Sequence, residues 1–113
     1  PTRTQLDRGQ EHYDRHVRDG LEWPVGTSRG EYDASIRRVI GDRNTDIFLS
    51  LYEGDPRVTF HSRTLDSERG PEGEDYIVVD YSIREARWMT AFQTRHTVER
   101  FMNRGTRSNA RWP

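Results

Sequence analysis

Leu6, Tyr13 and Val17 recur at spacings of seven and four, which puts an apolar stripe on a helix over Leu6 to Arg18. Gly20 and then Trp23-Pro24-Val25-Gly26 break that stripe, because glycine favours a helix C-terminus and proline restricts the residue before it. A loop from about Asp19 to Thr27 follows. Ser28 with Glu31 three positions later forms a capping-box signature, and Tyr32, Ile36, Val39 and Ile40 then line one face of a second helix that ends at Gly41.

Beyond Thr45 the period changes from helical to alternating, in short runs rich in β-branched and aromatic residues. The runs predict strands over Ile47 to Tyr52, Arg57 to Thr64, Tyr76 to Ile83 and Arg87 to Gln93. Ile47, Phe48 and Leu51 would also suit a short helix after Thr45. Glu53-Gly54-Asp55-Pro56 and Ile83-Arg84-Glu85-Ala86 are short enough to imply antiparallel neighbours. The polar stretch Asp66 to Glu74, with Gly70-Pro71 and Gly73, is expected to be a mobile loop. Thr97 to Asn103 is read as a closing helical turn that packs Val98, Phe101 and Met102. The expected fold is therefore α+β: two N-terminal helices, a four-stranded antiparallel sheet and a short C-terminal helix, in a single domain over 1–113 with 1–5 and 104–113 frayed.

Composition narrows this picture. The 113 residues suit one core; 31% are hydrophobic and 33% charged, so that core must draw on three Trp, five Tyr and four Phe. No apolar run approaches the roughly 20 residues of a membrane span. The absence of cysteine removes disulfides and thiolate metal sites. Every one of the 18 basic residues is Arg, yet the net charge is −1, so any phosphate binding has to come from a local cluster. Pro1, without an initiator Met or a leader pattern, reads as the start of a piece cut from a longer polypeptide, such as a C-terminal module.

Candidate chemistry centres on His12-Tyr13-Asp14-Arg15-His16, where two imidazoles four residues apart share one helix face. Imidazole titrates near neutrality and can take a proton from a hydroxyl or give one to a leaving oxygen, although the spacing equally suits two surface histidines. The zinc-protease pattern needs Glu directly after the first His, where this chain has Tyr13; His61 is a distant further ligand at best, and the expectation is no metal and no cofactor. On the second strand Arg57, Thr59, His61 and Arg63 face one way and Val58, Phe60 and Ser62 the other. That polar side could hold a phosphate, or could simply face solvent and balance Asp55, Asp66 and Asp80. Alternation likewise puts Thr90 on one face with Trp88 and Phe92. Phosphate-loop, nucleophile-elbow and paired-carboxylate patterns are absent from the sequence, which removes nucleotide hydrolase, esterase and glycosidase readings.

In order and spacing these features resemble the ribonuclease domains of bacterial polymorphic toxins and related phage-encoded nucleases, the grouping of barnase-like, EndoU-like, colicin and RelE-like folds. The resemblance runs from about His12 to Gln93: His12-Tyr13-Asp14-Arg15-His16, then Glu31-Tyr32, an Arg-bearing strand with Arg57 and Arg63, the apolar strand Tyr76 to Val79, and Thr90 within Trp88-Met89-Thr90-Ala91-Phe92. It departs at Val17, where such domains often carry Gly after the second His, and in lacking a basic surplus. The resemblance implies metal-independent RNA cleavage by attack of a ribose 2′-hydroxyl on the adjacent phosphate. His12 or His16 would serve as general acid or base, Arg57 or Arg63 would neutralise the phosphate, Thr90 would orient it, and His61, Arg15 and Trp88 would bind substrate. It also implies a secreted or delivered effector that acts in the target-cell cytoplasm and is silenced in its producer by an immunity protein. Two alternatives stand beside it. One is an ADP-ribosyltransferase-type toxin, whose Glu-x-Glu pair would be Glu72-Gly73-Glu74, and the other a non-enzymatic interaction or assembly module.

Overall fold

The computed structural model describes residues 9–102 and the backbone of 107–111. The first helix, α1, spans Gly9–Tyr13 and widens into a π-helical turn over Asp14–Asp19. Tyr13 and Val17 of the predicted stripe pack into the core, while Leu6 and the expected fraying of 1–5 lie outside the described residues. The second helix, α2, spans Arg29–Gly41. Its capping box is complete: the Ser28 hydroxyl accepts from the Glu31 amide at 3.1 Å and the Glu31 carboxylate accepts from the Ser28 amide at 2.8 Å. Hydrogen bonds to the carboxylate from the Ser28 backbone and, less, from its side chain favour the charged form and hold the Glu31 carboxyl below its usual value.

Four strands follow: β1 Asp46–Tyr52, β2 Asp55–Arg63, β3 Tyr76–Ser82 and β4 Arg87–Thr94. The short helix α3 spans Val98–Met102, with Val98 and Phe101 buried as expected; Asn103 and the Met102 side chain lie outside the described residues. Residues 107–111, within the tail expected to fray, instead form a fifth strand, β5 (Arg107–Arg111), paired antiparallel with β1. The rest of that tail lies outside the described residues. Among the described residues the sheet is antiparallel throughout, in the order β4-β3-β2-β1-β5. Glu53 and Gly54 alone connect β1 to β2, with φ of +49° and +83°. Two successive left-handed residues twist a two-residue turn to match its strands, so Asp55 and Pro56 join β2 rather than the link.

One sheet face carries Phe60, Ile77, Val79 and Ala91 beneath Val17, Trp23, Tyr32, Ile36 and Val39. Tyr32 is fully buried and its hydroxyl donates to the Ala91 carbonyl at 2.7 Å, fastening α2 to β4; burial raises the phenol's pKa well above its usual value. The Trp23 indole N–H reaches Ser35 Oγ at 3.2 Å, so an aromatic core of this size leaves few polar edges unpaired. On the opposite face Phe48, Val78 and Phe92 pack under Val98 and Phe101 of α3.

The loop 66–74 is docked rather than free. The Gly70 and Glu72 amides donate to the carbonyls of Glu22 and Leu21 at 2.7 and 2.9 Å. Arg38 of α2 forks onto the Glu68 carboxylate at 2.9 and 2.7 Å. A Cβ on Gly70 would stand 2.0 Å from the Trp23 carbonyl oxygen, so only glycine admits this approach. Polar composition predicts a surface loop but is silent on where its amides find acceptors.

Candidate functional site

The histidine-bearing helix ends in a turn that folds back on itself. After the π-helical segment, Gly20 packs so closely that a Cβ would meet the Arg15 carbonyl oxygen at 2.5 Å and His16 Cα at 3.3 Å. Leu21 then takes a left-handed φ of +55°, a conformation that costs a non-glycine residue about 1 kcal/mol or more. The reversal returns Glu22 to the helix: its amide donates to the His16 carbonyl at 2.9 Å, and its Oε2 lies 2.6 Å from His16 Nδ1. Glu22 Oε1 accepts from the backbone amide of Gln93 at 2.7 Å, on the outer edge of β4. Both carboxylate oxygens are thereby fixed. Helix widening, a glycine-only approach and a strained φ converge on the hydrogen-bonded pair of His16 and Glu22, and such departures from regular backbone gather at functional positions.

A carboxylate only accepts, so His16 Nδ1 is the donor and the neutral imidazole keeps its lone pair on Nε2. The side chains of His16 and Glu22 are 15% and 18% exposed, enough for solvent or a substrate oxygen to reach them. His12 lies one turn back, its ring parallel to that of His16 within 5° and 6.1 Å away between centroids. His16 also contacts Phe92 of β4, at 6.2 Å between centroids. The helix thus directs both histidines over the outer edge of the sheet, with Arg15 exposed beside them. Glu22 escapes sequence reasoning because nothing at a spacing of six, across a glycine turn, marks it as a partner of His16.

Thr90 shares a face with Phe92, about 7 Å along the strand, and its hydroxyl has no hydrogen-bond partner among the described residues. Trp88 does not share that face. Asp80 pairs with Thr90 but Tyr81 pairs with Trp88, so Met89 is an extra residue that turns Trp88 to the helix side, against Phe60 and Tyr81 at 5.5 and 4.9 Å. Period-two alternation fails across such a bulge.

The polar side of β2 divides in two. Arg57 is buried, its Nε 2.6 Å from Asp55 and its Nη1 3.1 Å from Asp80, which is fully buried. Thr59 donates to Asp80 at 2.7 Å and accepts from Ser50 at 3.1 Å. The Arg57 bond holds the Asp55 carboxyl below its usual range. With two carboxylates on it, the Arg57 guanidinium has little charge left for a phosphate, and the network serves the sheet. Further along the strand, His61 Nε2 meets the His96 carbonyl at 2.8 Å, so it carries the proton; burial lowers the His61 pKa. The His61 ring lies 4.6 Å from that of Tyr76, and the Arg63 guanidinium sits 5.2 Å from the Tyr76 ring centre.

His61, Arg63 and Tyr76 line a cavity of about 540 Å³ between the α2–β1 link and the start of α3. This cavity is separate from the histidine pair: Phe92 and Phe101 intervene, each ring about 6 Å from the next between His16 and His61. The predicted residues therefore do not converge: His12, His16 and Arg15 lie at the β4 edge, Thr90 on the β4 face that carries Phe92, Trp88 on the helix side, Arg57 in the buried network, and His61 with Arg63 in the cavity. Among the described residues no three His, Asp or Glu side chains converge as metal ligands, and no helix is long and apolar enough to cross a membrane. No protein-family model matches the chain, and neither a curated protein nor a solved structure does.

Proposed function

We propose that this chain is a metal-independent endoribonuclease of the toxin type, with the His12–His16–Glu22 cluster as its catalytic centre. The observation that carries the reading is the 2.6 Å contact between His16 Nδ1 and a carboxylate that is itself anchored to the sheet edge, beside a second, parallel imidazole. A base oriented by a third group is the arrangement proton transfer needs.

In this proposal His16 Nε2 takes the proton of a ribose 2′-hydroxyl as its oxygen attacks the adjacent phosphorus. The bond from phosphorus to the 5′-oxygen breaks, and that oxygen leaves with a proton from imidazolium His12. The products are a 2′,3′-cyclic phosphate and a 5′-hydroxyl end. Glu22 stabilises the positive charge that develops on His16. In this proposal Arg15 would hold the phosphate and the Thr90 hydroxyl would orient it, whereas Arg57 is withdrawn into its ion pairs. The antiparallel sheet preceded by two helices is also what the barnase, EndoU, colicin and RelE-like grouping leads one to expect. Delivery into a target-cell cytoplasm and silencing by an immunity protein belong to the same proposal.

The test is incubation of the purified chain with total bacterial RNA in excess chelator, beside His12→Ala, His16→Ala and the double variant. Each single variant should lose a factor of roughly 100 or more in rate, the usual contribution of a positioned acid or base. Intact RNA with the parent would transfer the weight to an interaction module.

A further inference from the structure

Glu22 lies on irregular backbone between the left-handed Leu21 and the buried Trp23, so no helix or strand of its own fixes it beside His16. Gln93 supplies the support. Its backbone amide donates to Glu22 Oε1 at 2.7 Å, and its buried side chain turns to the loop 66–74. There Nε2 donates to the Glu68 carbonyl at 2.8 Å and Oε1 accepts from the Glu74 amide, also at 2.8 Å. One side-chain amide thereby staples both limbs of the loop.

The loop in turn grips the segment that carries Glu22. The Gly70 amide binds the Glu22 carbonyl and the Glu72 amide that of Leu21, while a Cβ on Gly73 would stand 2.9 Å from the Glu22 carbonyl oxygen. Glu22 is therefore held at its carboxylate by the Gln93 backbone and at its carbonyl by a loop that the Gln93 side chain pins. Removing that side-chain amide takes a partner from each of two loop backbone groups, one carbonyl and one N–H, and water can satisfy them only if the loop lifts.

We propose that Gln93 is a positioning residue for the His16–Glu22 pair, acting through the docked loop 66–74 on a carboxylate that its own backbone also binds. With the loop lifted, the Glu22 segment gains freedom and its carboxylate no longer stays on His16 Nδ1. The ring proton then redistributes over both nitrogens, because the hydrogen bond at one nitrogen sets the state of the other. Misplacing a catalytic group by about 1 Å can cost about 10²-fold in rate. The effect on RNA cleavage rests on the ribonuclease reading; the effect on the His16 ring does not.

The experiment uses the whole chain with its histidines labelled in ¹⁵N, as the parent, Gln93→Leu and Gly70→Ala. Thr59→Val, which breaks a hydrogen bond to Asp80 in the separate β2–β3 network, controls for stability lost elsewhere. Nitrogen shifts of the neutral His16 ring read which atom carries the proton. The parent should show the Nδ1–H form. Gln93→Leu, which keeps the backbone amide, and Gly70→Ala, which attacks the same contact from the loop side, should each show a mixture of the two forms. Both should lower kcat on a short RNA by about 10- to 100-fold and leave KM within a few-fold. Thr59→Val should keep the parent's tautomer and kcat while melting lower. Thermal melts identify the folded variants, and either one decides the matter. A folded Gln93→Leu or Gly70→Ala chain with the parent's tautomer would overturn the proposal, as would a tautomer shift in Thr59→Val. Should the tautomer shift while the parent leaves RNA intact, or while the variants cleave as the parent does, the positioning stands and the ribonuclease reading fails.

Discussion

Replacing Glu22 separates its two tasks. Glu22→Ala removes the acceptor of the Gln93 amide and that of His16 Nδ1 together. A buried donor left unpaired costs about 1–3 kcal/mol, and solvent reaches this corner in part, so the pair should lose roughly 2–3 kcal/mol. For a domain of this size that lowers Tm by about 10 °C. Glu22→Gln acts differently. Its side-chain carbonyl can still accept from Gln93, which keeps the edge capped, but its amide group then faces His16 Nδ1. An amide N–H turned to Nδ1 forces the ring proton onto Nε2 and removes the lone pair that takes the 2′-hydroxyl proton. The Gln variant should melt within about 1 kcal/mol of the parent and cleave RNA some 10²–10⁴-fold more slowly, the range for a misoriented base. Melting by circular dichroism and initial cleavage rates in chelator read the two effects. A folded Glu22→Gln variant that cleaves within a few-fold of the parent would refute the role given to Glu22, and an Ala variant that melts with the parent would refute the structural one.

Further expectations follow from burial and close packing. Asp80→Ala strands Arg57 on the sheet face without its buried partner and should cost about 3–5 kcal/mol in urea unfolding; a loss under about 1 kcal/mol would mean that Arg57 escapes to water. Because burial depresses the His61 pKa, the unfolded chain binds a proton that the fold resists, so this contribution to stability is complete above the ordinary value of 6.5 and is lost as pH falls below it. The fall in urea midpoint between pH 7.5 and 5.5 should therefore be smaller in His61→Gln than in the parent. Gly70→Ala should undock the loop 66–74, seen as lost hydrogen-exchange protection at the Gly70 and Glu72 amides, because the added methyl meets the Trp23 carbonyl.

Local chemistry explains why some elements are legible in the chain. The capping box at Ser28 and Glu31, the stripe of Tyr32, Ile36 and Val39, and the alternation of β2 and β3 depend on neighbours within a few residues, where dihedral preference and period operate. The histidine pair was likewise visible, since a spacing of four settles which residues share a helix face. Tertiary structure alone decided the rest. Glu22 reaches His16 through a backbone reversal at Gly20 and Leu21, and reaches Gln93 across 71 positions. The bulge at Met89 parts Trp88 from Thr90 by register, a property of two paired strands rather than of one. Arg57 and Arg63 look alike on one strand face, yet Asp55 and Asp80 bind the first while Tyr76 steadies the second, because burial and partner charges come from other strands. Sequence carries the periods that make the elements; which side chains they bring within hydrogen-bonding distance is set only when the chain closes on itself.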